Sequence, residues 1–222
     1  MCSPRLLIRD YLAFKLLVMI WDRVAGIYDL TSGRRNREVN DKMVRFIASK
    51  VKAEDVVLEC ACGTGLITQV IQPLCRQLIA TDLSLNMLAQ TRKKCCKAPN
   101  LTVELANITH LQYANNSFDL VVAGNIIHLL NNPKKALDEL ARVCRDGGRI
   151  VVPTYVQKDG EKPSLWIKLL RFLGIPIMNN FTLKAYQQLF KDSGYSDVTY
   201  TLVEGKISCA IAEITNSKRS DL

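Results

Sequence analysis

After Lys52 the chain settles into a repeating alternation of short apolar runs and helix-patterned segments, and this alternation constrains the fold more than any other feature. Val56-Val57-Leu58 is followed by a glycine turn and a helical stretch from Leu66 to Leu74. Gln77 to Ala80 is followed by a second helical stretch, Leu85 to Cys96. A short strand is expected at Leu101 to Leu105 and a strongly apolar one at Phe118 to Ala123. A helix from Pro133 to Cys144 comes next, with its proline in the first turn, where a missing N–H costs nothing. Asp146-Gly147-Gly148 reads as the stop of that helix, and Arg149 to Pro153 as the next strand. Strands interleaved with helices in this way build parallel β-α-β units. The expected fold is therefore α/β, a doubly wound, mostly parallel sheet with helices on both faces. In such sheets ligands sit at the carboxyl ends of the strands.

The remainder is arranged around that core. Residues 5 to 24 pattern as an amphipathic helix in which Arg5, Arg9 and Arg23 fall close together opposite a broad face of Leu and Ile. Its charges leave no uninterrupted run of the roughly 20 apolar residues that a bilayer span needs. Packing on the core, peripheral contact with a membrane surface and a lid over the active site are the three uses such a helix has. A basic turn at Thr31 to Arg37 leads to a second helix, Glu38 to Lys50. Beyond Pro153 the alternation is interrupted by an apolar insertion, about 157–180, that is expected to cover a substrate. A helix at Leu183 to Lys191 and strands near Val198 to Leu202 and Ile207 to Glu213 complete the fold. The expected organisation is an N-terminal helical cap (1–52), a core (53–215) and a polar tail (216–222).

A chain of 222 residues accommodates one domain of this type but not two. The formal charge of +9 is weighted toward the first 52 residues, where eleven Lys or Arg face five Asp or Glu. That excess suits nucleic acid, anionic lipid or an acidic substrate, and equally a solvated surface. The eight cysteines sit in apolar or helical contexts without a Cys-x-x-Cys pair, which argues against zinc and for a reducing compartment. No signal peptide is recognisable, so the expected location is cytoplasmic.

The chemistry is concentrated in Glu59-Cys60-Ala61-Cys62-Gly63-Thr64-Gly65, where small residues let the backbone approach a ligand closely. A dinucleotide fingerprint fits in part, with Thr68 in the place of its last glycine. Asp82 follows the second apolar strand, seventeen residues after Gly65, where a carboxylate can accept both hydroxyls of a ribose. An adenosine-containing ligand is indicated, and both dinucleotides and S-adenosylmethionine qualify.

The run from about residue 20 to 215 resembles the class I S-adenosylmethionine-dependent methyltransferases, especially the ubiquinone and menaquinone C-methyltransferase branch. The resemblance is carried by Trp21-Asp22-Arg23-Val24-Ala25-Gly26-Ile27-Tyr28-Asp29, by Glu59 to Gly65, by Ala80-Thr81-Asp82-Leu83-Ser84 with Asn86-Met87-Leu88, by Ser117 to Val121 and by Asp146-Gly147-Gly148. It implies a Rossmann-like methyltransferase fold with S-adenosyl-L-methionine as cofactor. Glu59, Ala61, Cys62, Gly63, Thr64 and Gly65 would face its methionine part and Asp82 would hold its ribose. Leu83 and Met87 would flank adenine, Asn107 and Ile108 would meet the adenine edge, Tyr28 would lie near the cofactor, and Asn125 would stand beside the sulfonium. Two departures from the family pattern are Ala61, where the turn usually has its first glycine, and Asn107, where an acidic residue is frequent.

Methyl transfer from a sulfonium chiefly requires two reactants held in line and water kept out. Where the acceptor must lose a proton, a neutral histidine can take it. Of the two histidines, His128 follows the fourth strand and is the candidate base. His110 lies in a surface-like segment. Gly124-Asn125-Ile126-Ile127 lacks the tetrad associated with methylation of amino groups in nucleic acids, so a small, apolar or aromatic acceptor is expected and nucleic acid is not. An RNA or protein methyltransferase using the basic N-terminal surface, and an NAD-type oxidoreductase, are the alternatives. No metal site is expected, and the sequence does not speak to oligomeric state.

Overall fold

The computed structural model describes Met19, residues 21–23, Ala25, residues 36–157 and residues 181–217. Tyr28, most of the expected helix over residues 5 to 24, the turn at Thr31 to Arg37 before Asn36, the insertion from residue 158 to 180 and the tail from 218 lie outside the described residues. Met19 and residues 21–23 are helical, and Ala25 N–H donates to Trp21 O at 3.0 Å.

The elements in order are α1 (Arg37–Ala48), β1 (Val56–Cys60), α2 (Thr68–Ile71), β2 (Gln77–Asp82), α3 (Leu85–Lys94), β3 (Leu101–Leu105), β4 (Phe118–Ala123), α4 (Pro133–Val143), β5 (Cys144–Val156), α5 (Leu183–Asp192), β6 (Thr199–Val203) and β7 (Ser208–Thr215). They form one seven-stranded sheet in the order β3-β2-β1-β4-β5-β7-β6. Strands β1 to β5 pair in parallel, whereas β7 runs antiparallel between β5 and β6. The expected doubly wound, mostly parallel sheet is therefore present.

The side chains explain the layers. All six residues of β4 are buried, as a central parallel strand covered on both faces requires. One face packs Leu58, Val121, Ile150, Val152, Ala210 and Ala212 against Leu137 and Leu140 of α4 and Tyr186 and Phe190 of α5. The other packs Val57, Leu78, Leu120, Val122 and Ile211 against Val39, Met43, Val44 and Ile47 of α1, Ile67 just before α2 and Ile71 at its end. Thus α1, expected within an N-terminal cap, covers the sheet directly.

Three local expectations differ from the structure. The helix expected over Leu66 to Leu74 is one α-helical turn, Thr68–Ile71, continued by a 3₁₀ turn, Gln72–Leu74, because Pro73 has no N–H to extend the α ladder. The helix expected to end at Asp146-Gly147-Gly148 ends at Val143. Cys144 already pairs with Phe118 of β4, and the glycines form an irregularity inside β5 before Arg149 resumes the ladder opposite Leu120. Asn216, expected to begin a frayed tail, is buried and holds that irregularity. It exchanges backbone bonds with Gly147 and Gly148 at 2.8 Å, and its amide donates to the carbonyls of Ala141, Cys144 and Arg145.

Charged groups at the amino ends of the strands are paired within the protein. Arg149 makes a two-pronged contact with Asp55 at 2.7 and 2.8 Å, and Asp119 accepts from Val56 N–H at 2.7 Å. The carboxyl ends are different, and that edge forms the site.

Candidate active site

Each of the five parallel strands carries a polar residue at or just beyond its carboxyl end: Glu59, Asp82, Asn107, Asn125 and Gln157. Parallel pairing in register sets them along one edge. Among the described residues, three buried side-chain oxygens have no hydrogen-bond partner, and all three belong to this set: Glu59 Oε1, Asn125 Oδ1 and Gln157 Oε1. A buried acceptor left unmade costs about 1–3 kcal/mol, so three on one edge indicate groups arranged for a ligand.

The turn after β1 is built from left-handed backbone. Ala61, Gly63 and Gly65 have φ of 56°, 55° and 84°. The left-handed conformation costs an ordinary residue about 1–2 kcal/mol, so Ala61 stores strain that a glycine would not. The two glycines serve different ends. A Cβ on Gly65 would stand 3.1 Å from Thr91 Oγ1 and 3.2 Å from its Cγ2, so this glycine lets the turn pack on α3. A Cβ on Gly63 would meet nothing within 4 Å, so the space above it is open to a ligand. Thr91 Oγ1 donates to Gly63 O at 2.8 Å and Gly65 N–H to Cys62 O at 2.9 Å, which fixes the turn from beneath. Cys62 and Thr64 are buried within it.

Asp82 joins this turn to β2. Its Oδ2 accepts from Gly63 N–H and its Oδ1 from Ser84 N–H, both at 2.9 Å. A carboxylate has about four lone-pair sites, so these two bonds do not exhaust its capacity to accept from a diol. Burial raises the Asp82 pKa above the ordinary value, opposed by these backbone donors and assisted by nearby Asp22. Glu59 is fully buried; Thr68 Oγ1 donates to its Oε2 at 2.7 Å. Burial outweighs that bond and pushes its pKa up to about 8.

Leu83 is half-buried, and Met87 is buried with its N–H on Ser84 Oγ at 3.1 Å. Asn107 forms a local turn: its Oδ1 accepts from Thr109 N–H at 3.0 Å and Thr109 Oγ1 at 2.9 Å. Ile108 sends its side chain into the core with Leu111 and Phe118, which leaves only its main chain for a ligand. Asn125 has φ 51° and donates its N–H to Pro153 O at 2.9 Å. His128 lies in a 3₁₀ turn, Ile127–Leu129, with Nδ1 2.9 Å from Thr154 Oγ1 and its ring 5.7 Å from that of Phe181. Burial pushes its pKa down to about 4. His110 is exposed.

The edge therefore brings together Glu59, the turn through Gly65, Asp82, Leu83 and Met87, with Asn125 and His128 farther along at β4. Asp22, Thr91, Thr154 and Gln157 complete it and were not among the site residues expected from sequence, although Asp22 falls in the run that carries the resemblance. A lone threonine within the apolar run Val151 to Val156 was the available signal for Thr154; the other three depend on contacts distant in sequence.

Residues 58–152 match the family model described as "Methyltransferase domain", a span that begins in β1 and ends in β5. That span is a methyltransferase domain, of the class I, S-adenosylmethionine-dependent type. This methyltransferase is 27% identical over 212 residues to a demethylmenaquinone methyltransferase of Renibacterium salmoninarum, covering 84% of this chain and 86% of that one. It is 37% identical over 145 residues to a ubiquinone/menaquinone biosynthesis C-methyltransferase of Bdellovibrio bacteriovorus, covering 62% and 61%. Its fold matches the Haemonchus contortus Phospholethanolamine N-methyltransferase 2, a structure in complex with phosphomonomethylethanolamine and S-adenosylhomocysteine. The TM-score is 0.67 at 15% identity, over 89% of this chain and 58% of that one.

The residues present fit S-adenosylmethionine. The open space above Gly63, the acceptor capacity left on Asp82 and the unpartnered Glu59 and Asn125 oxygens suit a ligand rich in hydrogen-bond donors: an ammonium, a ribose diol and an adenine amine. Among the described residues no group of His, Cys, Asp or Glu could hold a metal ion, and no helix is long and apolar enough to cross a membrane.

Proposed function

We propose that this methyltransferase acts on a small aromatic acceptor of the quinol type. The observation that carries the reading is the alignment with the demethylmenaquinone methyltransferase along most of both chains, 84% and 86%. The surroundings of His128 agree with an aromatic acceptor, since the Phe181 ring lies beside it with ring centroids 5.7 Å apart.

When bound, the cofactor supplies an electrophilic sulfonium methyl group. In this reading Glu59 and the turn from Ala61 through Cys62, Gly63 and Thr64 to Gly65 hold its methionine part, and Asp82 accepts the ribose hydroxyls. Leu83 and Met87 flank adenine, and Asn107 with the main chain of Ile108 meets the adenine edge. Asn125 offers Oδ1 beside the sulfonium. His128 takes the proton of the acceptor on Nε2 in the tautomer whose Nδ1–H faces Thr154 Oγ1, and burial keeps the ring neutral. The apolar surroundings exclude water, and positioning supplies the larger part of the acceleration.

The test is transfer from radiolabelled S-adenosylmethionine to a panel containing a short-chain demethylated quinol, phosphoethanolamine and bulk tRNA. Label in the quinol alone is expected. Label in tRNA or phosphoethanolamine, with none in the quinol, would overturn the reading.

A further inference from the structure

We infer that Asp22 is a positioning residue of the cofactor site: it ties the N-terminal segment to Ser84 and Asn86 and, through Ser84, to Asp82. The inference rests on the reading of Asp82 as the group that receives the ribose. Three hydrogen bonds make the tie. Ser84 Oγ donates to Asp22 Oδ1, Asn86 N–H donates to the same oxygen at 3.3 Å, and Asn86 Nδ2 donates to the Asp22 carbonyl at 3.0 Å. They join residues 62 and 64 positions apart, so they are tertiary contacts and not local turn geometry.

Ser84 is the pivot. It is the N-cap of α3, its Oγ accepting from Met87 N–H at 3.1 Å while its hydroxyl proton goes to Asp22. Its backbone N–H goes to Asp82 Oδ1 at 2.9 Å. One buried serine thus has a carboxylate on each of its two donors. The first turn of α3 contains no acidic residue of its own, so Asp22 provides from a distance the negative charge that the unpaired N–H groups of a helix start favour. Whatever fixes Ser84 also fixes the direction of Asp82, whose other oxygen holds Gly63. A shift of this carboxylate moves the ribose acceptors and the open space above Gly63 together.

Linkage makes the claim quantitative. If the tie strengthens cofactor binding by some factor, the cofactor strengthens the tie by the same factor. Exposed Arg23, next to Asp22, is a tryptic site that reports on it. The experiment compares wild type, Asp22→Ala, Asp22→Asn and Asn86→Ala by S-adenosylhomocysteine titration, by cleavage after Arg23 with and without that ligand, and by KM and kcat. Asp22→Ala is expected to weaken the ligand about tenfold and raise the cofactor KM to match, with kcat at saturation nearly unchanged. Asp22→Asn keeps the Oδ1 acceptor and should stay within about threefold of wild type, with Asn86→Ala between the two. The ligand should slow cleavage after Arg23 in wild type and lose that effect in Asp22→Ala. Unaltered ligand affinity in Asp22→Ala with wild type binding normally would overturn the inference alone. A wild type that did not bind the ligand would overturn the site reading and the inference with it.

Discussion

Gly63 donates its backbone N–H to Asp82 Oδ2 across 2.9 Å, so the turn after β1 and the end of β2 are held by one side chain. That carboxylate is at once a structural brace and the candidate ribose ligand. Asp82→Ala removes both and sacrifices two charge-assisted bonds of about 1.5–3 kcal/mol each. Asp82→Asn preserves the shape but leaves only one oxygen for two backbone donors. The expected result is a loss of S-adenosylhomocysteine affinity of roughly 10-fold to 100-fold in the asparagine variant, read by calorimetry, with a larger fall in melting temperature for alanine.

The two glycines of the turn should separate binding from stability. Gly65→Ala places a methyl group 3.1 Å from Thr91 Oγ1 in a backbone with φ 84°, so denaturant unfolding should show a loss of about 1–3 kcal/mol. Thr91→Ala in the same chain should recover part of it. Gly63→Ala meets nothing within 4 Å and carries only the left-handed cost of about 1–2 kcal/mol, yet its methyl group enters the ligand space. Cofactor affinity should fall further in Gly63→Ala than its stability implies.

Glu59 sets a pH dependence whose sign is fixed. Its folded pKa of about 8 lies above the ordinary 4.5, so the folded chain keeps a proton that the unfolded chain releases first. Its contribution to stability is fully present below 4.5 and is lost as pH rises toward 8, with a slope of up to about 1.4 kcal/mol per pH unit. Glu59→Gln should flatten that slope in urea titrations between pH 5 and 8. An ammonium held at Oε1 would favour the ionised form, so wild type should release a proton on binding S-adenosylhomocysteine near neutral pH. Calorimetry in buffers of different ionisation enthalpy reads that proton, and Glu59→Gln should not show it.

How much of this was legible depends on where the responsible contacts lie. The strand and helix cores were readable because burial on both faces demands apolar runs such as Phe118 to Ala123, and amphipathic helices demand the period seen in Pro133 to Val143. Asp82 was readable because its spacing from Gly65 follows from one β-α-β unit. Residues whose partners are remote in sequence were not. Asn216 supports a β5 irregularity some 70 residues away, which concealed the strand between Cys144 and Gly148. Asp22 reaches α3 across 62 residues. Pro73 is the reverse case, a local signal that shortens α2.

His128 offers the sharpest test of the chemistry. Its pKa is pushed down to about 4, below the ordinary 6.5, so its contribution to stability is lost as pH falls from 6.5 through 4, and the ring is neutral at neutral pH. As the proton acceptor it should give a turnover free of histidine titration between pH 6 and 9. His128→Asn should lower kcat about 100-fold while leaving S-adenosylhomocysteine affinity near wild type, because in the proposed reading the residue serves the acceptor and not the cofactor. Thr154→Val removes the partner 2.9 Å from Nδ1 and frees the ring to turn, so a smaller loss of about tenfold is expected. A His128→Asn enzyme with intact turnover across pH 6 to 9 would remove the histidine from the mechanism. Positioning by Asn125 and exclusion of water would then account for the acceleration.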